Sequence, residues 1–268
     1  MNKMSIAAGL AYWTYGEKTD DKRVLLMIHG LGGDHNDLSL LAQRLKTQVI
    51  VPDLPGFGAS EAVSEHSAAA HVRQLCLFID ALKLKEFDVL GHSLGSTVVL
   101  LLAGQSSVVK KLVLLNPVPE QTAATKALLT MTVGKMSKEN QEKFIHTDLY
   151  NVVAFSMASH NRFSMRHTQS YIQQQRLRRD TFSFRAWEES IQSVSKVDHC
   201  LEAKKVSAQS LIIHGDKDRI VGVKSVKKFT DCFFSAKLER LPDAGHFTPS
   251  ESLEEIAPII DQFLLLTV

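Results

Sequence analysis

Apolar residues along this chain fall into short continuous blocks, at residues 24–28, 49–51, 87–90, 112–115, 211–213 and 238–241, rather than into strict apolar–polar alternation. A strand that is apolar at every position has to be covered on both faces, which is the pattern of a mostly parallel sheet. Between the blocks, apolar residues recur at helical spacing over 36–45, 69–82, 94–103, 224–232 and 252–265. The alternation predicts an α/β fold, a mostly parallel central sheet flanked by helices and connected by right-handed crossovers. Near the beginning, Tyr12, Trp13 and Tyr15 suit a strand better than a cleavable leader.

One region breaks the alternation. Residues 120–187 contain no clear buried strand and are rich in polar, helix-compatible residues such as Gln173, Gln174 and Gln175. A stretch of that length without a strand reads as a helical insertion. The expected organisation is therefore a core of residues 1–118 and 188–268, with a helical lid at 119–187. Charge is concentrated in this insertion, where Arg162, Arg166, Arg176, Arg178, Arg179 and Arg185 stand against Asp180 alone between positions 162 and 187.

The whole chain of 268 residues has a formal charge of +2, too balanced for a general nucleic-acid binder. Its three cysteines, Cys76, Cys200 and Cys232, are odd in number and widely spaced, which predicts neither a disulfide framework nor a zinc cluster and points to a reducing compartment, the cytoplasm. No apolar run reaches the roughly 18 residues that a membrane-spanning helix needs.

Gly91, His92, Ser93, Leu94 and Gly95 form a GxSxG pentapeptide directly after the apolar block at 87–90 and at the head of the helical segment 94–103. In that setting the serine occupies a tight strand-to-helix turn, and the flanking glycine positions must lack bulk because strand and helix crowd together there. A hydroxyl is a poor nucleophile at neutral pH, so Ser93 needs a base and a carboxylate to orient it. Asp218 follows the block at 211–213 and His246 follows the block at 238–241. Three chemistry-bearing residues thus end three strands, in the order Ser, Asp, His, at the sheet edge where open α/β folds place their ligands. Asp216 shares the loop with Asp218 and competes for the acid role.

Acyl transfer also needs backbone N–H donors for a developing oxyanion. Leu94, directly after Ser93, is one expected donor, and Leu31, inside the glycine-rich stretch at 29–33, is the other. His29 and His92 have no HExxH motif or acidic pair beside them, and no strand is followed by GxGxxG or a P-loop. Neither a metal nor any other cofactor is expected.

Together with the stretch Asp53, Leu54, Pro55, Gly56, Phe57, Gly58, Ala59 and Ser60, these motifs resemble the α/β-hydrolase superfamily across nearly the whole chain outside the insertion. The resemblance implies that the acid is the third residue after Gly215, which is Asp218, and that the 53–60 loop shapes the sheet edge and the rim of the pocket, with Asp53 structural. A serine at the elbow is unlike haloalkane dehalogenases and epoxide hydrolases, whose nucleophile is an aspartate. The compact length and the 29–33 loop look like the small serine carboxylesterases and acyl-thioesterases. Ser96 stands where that family often has a second glycine.

The expected activity is hydrolysis of a carboxylic ester through an acyl-enzyme, with His246 as base, lost when the imidazole is protonated. An alternative is an esterase acting on esters or thioesters linked to an acidic acyl-carrier protein, similar to the esterases of biotin synthesis, with Arg176, Arg178 and Arg179 as the docking surface. A lyase or C–C bond hydrolase built on the same triad, or a ligand-sensing protein that retains it, are further readings of the same motifs.

Overall fold

The computed structural model describes residues 3–17, 23–120, 136–160, 165–181 and 183–265. One sheet runs through it, built from β1 (Ser5–Ala7), β2 (Leu10–Tyr15), β3 (Val24–Ile28), β4 (Val49–Pro52), β5 (Phe87–His92), β6 (Val109–Leu115), β7 (Gln209–Gly215) and β8 (Ala236–Leu241). The order across the sheet is β1, β2, β4, β3, β5, β6, β7, β8. The β1–β2 and β2–β4 pairs are antiparallel, and every pair from β4 to β8 is parallel.

Strand β3 shows why its sequence reads as a continuous apolar block. Leu26 and Ile28 enter the apolar layer on one face of the sheet, Leu25 and Met27 enter the layer on the other, and all five residues are buried. At the far edge β8 carries Lys237, Glu239 and Arg240 among its six residues, charges that blunt the outer edge of the sheet.

Helices α1 (Asn36–Arg44), α2 (Ala68–Ala81) and α3 (Leu94–Gln105) fill the early crossovers. Residues 94–103 of α3 are all buried, as expected of a helix apolar on every side. Between β6 and β7 the described chain runs through α4 (Lys138–Ile145), α5 (Asp148–Ala158), α6 (Met165–Arg178), α7 (Phe184–Val194) and α8 (His199–Ala203). Ser137, Thr147 and Ser183 cap α4, α5 and α7 through their hydroxyls, the local chemistry that starts helices in a polar segment. Helix α7 packs on α2 and α3, so the boundary expected at residue 187 falls inside a helix of the core surface. Beyond β7 come α9 (Val223–Thr230), α10 (Thr248–Glu251) and α11 (Leu253–Leu265). Among the described residues no helix is long and apolar enough to cross a membrane.

The cysteine reading is corrected by the structure. Cys200 and Cys232 form a disulfide and only Cys76 is a free thiol. Helix α8 packs against α9, bringing together cysteines 32 residues apart in sequence, a proximity that spacing alone does not reveal. With that bond present, the cysteines no longer argue for a reducing compartment.

Histidine 71 illustrates how polar groups are buried beside the core. Its Nε2 donates to Ser190 Oγ at 2.9 Å, and the Ser190 hydroxyl in turn donates to the His66 carbonyl at 2.9 Å. The other ring nitrogen is buried without a hydrogen-bond partner among the described residues. Burial, aided by His66 and His29, pushes the His71 pKa from 6.5 down to about 3. The unfolded chain therefore takes up a proton below pH 6.5 that the folded chain refuses, so stability falls as the medium is acidified. Each pH unit in that window corresponds to about 1.4 kcal/mol for a single group. Between pH 7 and 5, His71 is expected to cost about 2 kcal/mol of stability. Urea unfolding at the two pH values checks this, with His71→Gln expected to flatten the dependence by about that amount; an equally steep dependence in the variant refutes it.

Candidate active site

The turn between β5 and α3 places Ser93 at φ 53° and ψ −116°, an unusual conformation for a residue with a side chain. Such backbone costs about 1 to 3 kcal/mol and persists only where its surroundings impose it. Crowding imposes it in this turn, since a Cβ on Gly91 would overlap the Gly95 carbonyl and a Cβ on Gly95 would overlap that of Ile28. The Ser93 N–H donates to the Leu115 carbonyl at 3.0 Å. Ser96, where the family often has glycine, donates its hydroxyl to the Gly91 carbonyl at 2.7 Å and so ties the helix back to the strand.

Ser93, Asp218 and His246 meet at the carboxyl ends of β5, β7 and β8. Ser93 Oγ lies 2.8 Å from His246 Nε2, and His246 Nδ1 lies 2.7 Å from Asp218 Oδ2. Asp218 Oδ1 accepts the N–H groups of Ile220 and Val221 at 2.8 and 3.0 Å. Burial opposes the Asp218 charge, yet His246 outweighs it and holds the carboxyl below its usual pKa. The competing carboxylate, Asp216, pairs with Arg240 at 2.6 and 2.8 Å, away from the imidazole.

Two supporting residues were missed in the sequence. Asn116, at φ 44° just past β6, donates to Asp218 Oδ2 and to the Gly245 carbonyl, both at 3.0 Å, while accepting from Thr248 Oγ1 at 2.6 Å. Its position at the end of an apolar block and before Pro117 is the signal that could have found it. His92 is more than an elbow position, since its Nε2 donates to the His246 carbonyl at 2.8 Å. Burial, followed by the neighbouring His246, depresses the His92 pKa to about 4, so at neutral pH it is an uncharged donor.

Gly33 N–H closes a turn on the Gly30 carbonyl at 3.2 Å, with Leu31 inside that turn. His29 steadies the loop, with Nε2 accepting from Leu54 N–H at 2.9 Å and Nδ1 donating to the Gly30 carbonyl at 2.8 Å. Leu94 opens α3, where an N–H has no intrahelical acceptor. Leu31, Leu94, Ser93 and His246 border one cavity of about 590 Å³, roofed by residues of α4, α5 and α6. Its walls are largely apolar, with Leu149, Val153, Phe155 and Trp187 among them. Asp53 stays structural, accepting from His35 N–H at 2.7 Å and Ala59 N–H at 2.8 Å.

The three arginines expected to form a docking surface separate. Arg178 turns inward, binding Asp34 through two bonds of 2.8 and 3.0 Å and Asp37 at 2.6 Å. This corrects its reading as an external contact, because only 8% of its side chain is exposed. Burial disfavours that cation, but Asp37 and Asp34 more than compensate, and Arg178 keeps the Asp34 carboxyl below its ordinary range. Arg176 and Arg179 stay on the surface, the former paired with Asp148 and the latter donating to the His146 carbonyl at 2.8 Å. Arg162 lies outside the described residues. Among the described residues, no group of three or more His, Cys, Asp or Glu side chains is placed to hold a metal ion.

A glycine-flanked serine on a strained turn, linked through histidine to a buried aspartate at the edge of a parallel sheet, defines a class of protein. The chain belongs to the α/β hydrolase fold family, whose model matches residues 23–252. It is similar to a 2-hydroxymuconate semialdehyde hydrolase of Pseudomonas putida, with 27% identity covering 89% of this chain and 86% of that protein. Lipase 1 of Psychrobacter immobilis is 26% identical over 87% of this chain and 74% of the lipase. Among solved structures, the enol-lactonase from Burkholderia xenovorans LB400 superposes with a TM-score of 0.80 at 15% identity, covering 98% of this chain and 100% of that one.

The geometry predicts unequal roles for the two loop carboxylates. Asp218→Asn is expected to lower kcat by about 10³ to 10⁴-fold, whereas Asp216→Asn should leave it within twofold. Steady-state kinetics on a chromogenic ester decide this; equal losses would remove Asp218 from the acid role.

Proposed function

We propose that this protein is a serine hydrolase that cleaves neutral carboxylic esters through an acyl-enzyme. The observation that supports it most directly is the continuous hydrogen-bonded line from Ser93 Oγ to His246 Nε2 at 2.8 Å and from His246 Nδ1 to Asp218 at 2.7 Å. His246 Nε2 removes the hydroxyl proton as Ser93 Oγ attacks the ester carbonyl. The N–H groups of Leu31 and Leu94 stabilise the oxyanion, and Asp218 stabilises the transient imidazolium. Collapse of the tetrahedral species expels the alcohol, which takes the proton from His246. Water then attacks the acyl-enzyme with His246 again as base, releasing the acid and restoring Ser93.

The cavity favours an uncharged, apolar substrate. Arg178 borders it but already serves two carboxylates, so it has little left to offer a substrate anion. Burial raises the phenol pKa of Tyr150 to about 12 and that of Tyr171 further. Both therefore remain neutral hydroxyls along an apolar wall. The similarity to a 2-hydroxymuconate semialdehyde hydrolase supports a second reading, cleavage of a C–C bond in a carboxylate-bearing substrate by the same triad. The charge of Arg178, already matched by Asp34 and Asp37, weighs against it.

Turnover of p-nitrophenyl esters from acetate to decanoate, beside a carboxylate-bearing dienol ketone, separates the two. Neutral esters are expected to be the better substrates, and Ser93→Ala should lower their kcat by about 10⁴-fold or more. Undiminished ester turnover by Ser93→Ala, or faster C–C cleavage by the wild-type protein, would overturn the assignment.

A further inference from the structure

The backbone carrying His246 is held from two sides. On the core side, Asn116 Nδ2 donates to the Gly245 carbonyl at 3.0 Å and His92 Nε2 donates to the His246 carbonyl at 2.8 Å. On the other side the partners come from the insertion. His246 N–H donates to the carbonyl of Ala158, the last residue of α5, at 2.6 Å. Helix ends leave carbonyls without intrahelical donors, so the base-bearing residue itself satisfies this one.

Glu251, at the end of α10 and five residues beyond His246, completes the stitch. Its Oε2 accepts the Gly245 N–H at 2.6 Å, while its Oε1 accepts the His160 N–H at 2.9 Å and the Ser159 hydroxyl. One carboxylate thus joins three N–H or O–H groups from two segments that are far apart in sequence. The junction is also tightly packed, because a Cβ on Gly245 would collide with the backbone at Ala158 and His160. Nothing in the proton relay uses Glu251, which has no contact with Ser93, Asp218 or the imidazole nitrogens among the bonds of the site.

We propose that Glu251 is a positioning residue which, together with the Ala158 carbonyl, makes the carboxyl end of α5 part of the support of His246, so that seating of the helical insertion and alignment of the base are one event. This extends the serine-hydrolase reading and rests on it. Two N–H groups in succession are held at this junction, that of Gly245 by Glu251 and that of His246 by the Ala158 carbonyl at the end of α5, so loss of that terminus removes the His246 acceptor and leaves Glu251 without the Ser159 and His160 donors that fix it. A movement of the insertion that lifted this end of α5 would misplace the imidazole, so entry of substrate has to occur through the rest of the roof. Misplacement of a catalytic group by about an ångström costs on the order of 10²-fold in rate.

Glu251→Gln and Ser159→Ala, singly and combined, test the proposal, with Glu251→Asp as a conservative rescue. Glu251→Gln is expected to lower kcat about 10 to 100-fold while KM stays within about twofold. The rate of Ser93 labelling by a small organophosphonate should fall in parallel, and the downfield proton signal of the His246–Asp218 hydrogen bond should broaden or vanish. Ser159→Ala is expected to act in the same direction but more weakly, and the double variant to fall short of the product of the single effects, because both act through one junction. Activity per folded molecule within twofold of wild type for Glu251→Gln, with an unchanged proton signal, would reduce Glu251 to a fold-stabilising contact and overturn the proposal. A wild-type protein that fails to label at Ser93 would instead overturn the serine-hydrolase reading, and this inference with it.

Discussion

The turn at Ser93 is the constraint on which the rest of the site depends. A non-glycine residue at φ 53° is unfavourable by itself, and it survives because β5 and α3 leave the chain no wider path. Gly91 and Gly95 allow strand and helix to approach closely, and the burial of α3 along residues 94–103 anchors that approach in the core. The apolar layer therefore has a chemical consequence. Hydrophobic burial of one helix keeps a hydroxyl projected at the sheet edge in a conformation the isolated peptide would abandon.

Around that turn, polar groups are buried and nearly every one is matched. Asp218 receives two backbone N–H groups, Asn116 and His246. His29 and His92 act as fixed hydrogen-bonding spacers, the first accepting the Leu54 N–H of a neighbouring loop and the second donating to the His246 carbonyl. Such networks are rigid because an unmatched buried donor or acceptor is expensive. Arg178 extends the same logic to the insertion, since its bonds to Asp34 and Asp37 tie α6 to the segment following the glycine-rich loop. The roof of the cavity is thereby joined to the core near the glycine-rich loop, as the Ala158 carbonyl and Glu251 join it near the loop carrying His246.

Membership of the α/β hydrolase fold family accounts for the scaffold and leaves the substrate to local chemistry. The similar proteins include both a lipase and a semialdehyde hydrolase, so membership of the family does not fix the substrate. In this chain the cavity presents a largely apolar surface beside an arginine paired with two aspartates, the feature on which the proposed preference for uncharged esters rests.

The strands from β3 to β8 and the order Ser93, Asp218, His246 were legible from the chain alone, because they rest on local periodicity and on short motifs whose glycines have steric meaning. Strand β2 was legible from its aromatic residues, whereas the short β1 lacked a comparable signal. Long-range partnership was not legible. The Cys200–Cys232 bond, the inward turn of Arg178, the choice of Asp218 over Asp216 by contact and the link from Asn116 to Asp218 all join residues whose proximity follows from how layers stack. Sequence determined which segments would be buried and which side chains could do chemistry. Tertiary structure alone decided which of those side chains face one another, since a hydrogen bond depends on distance and direction that no linear pattern encodes.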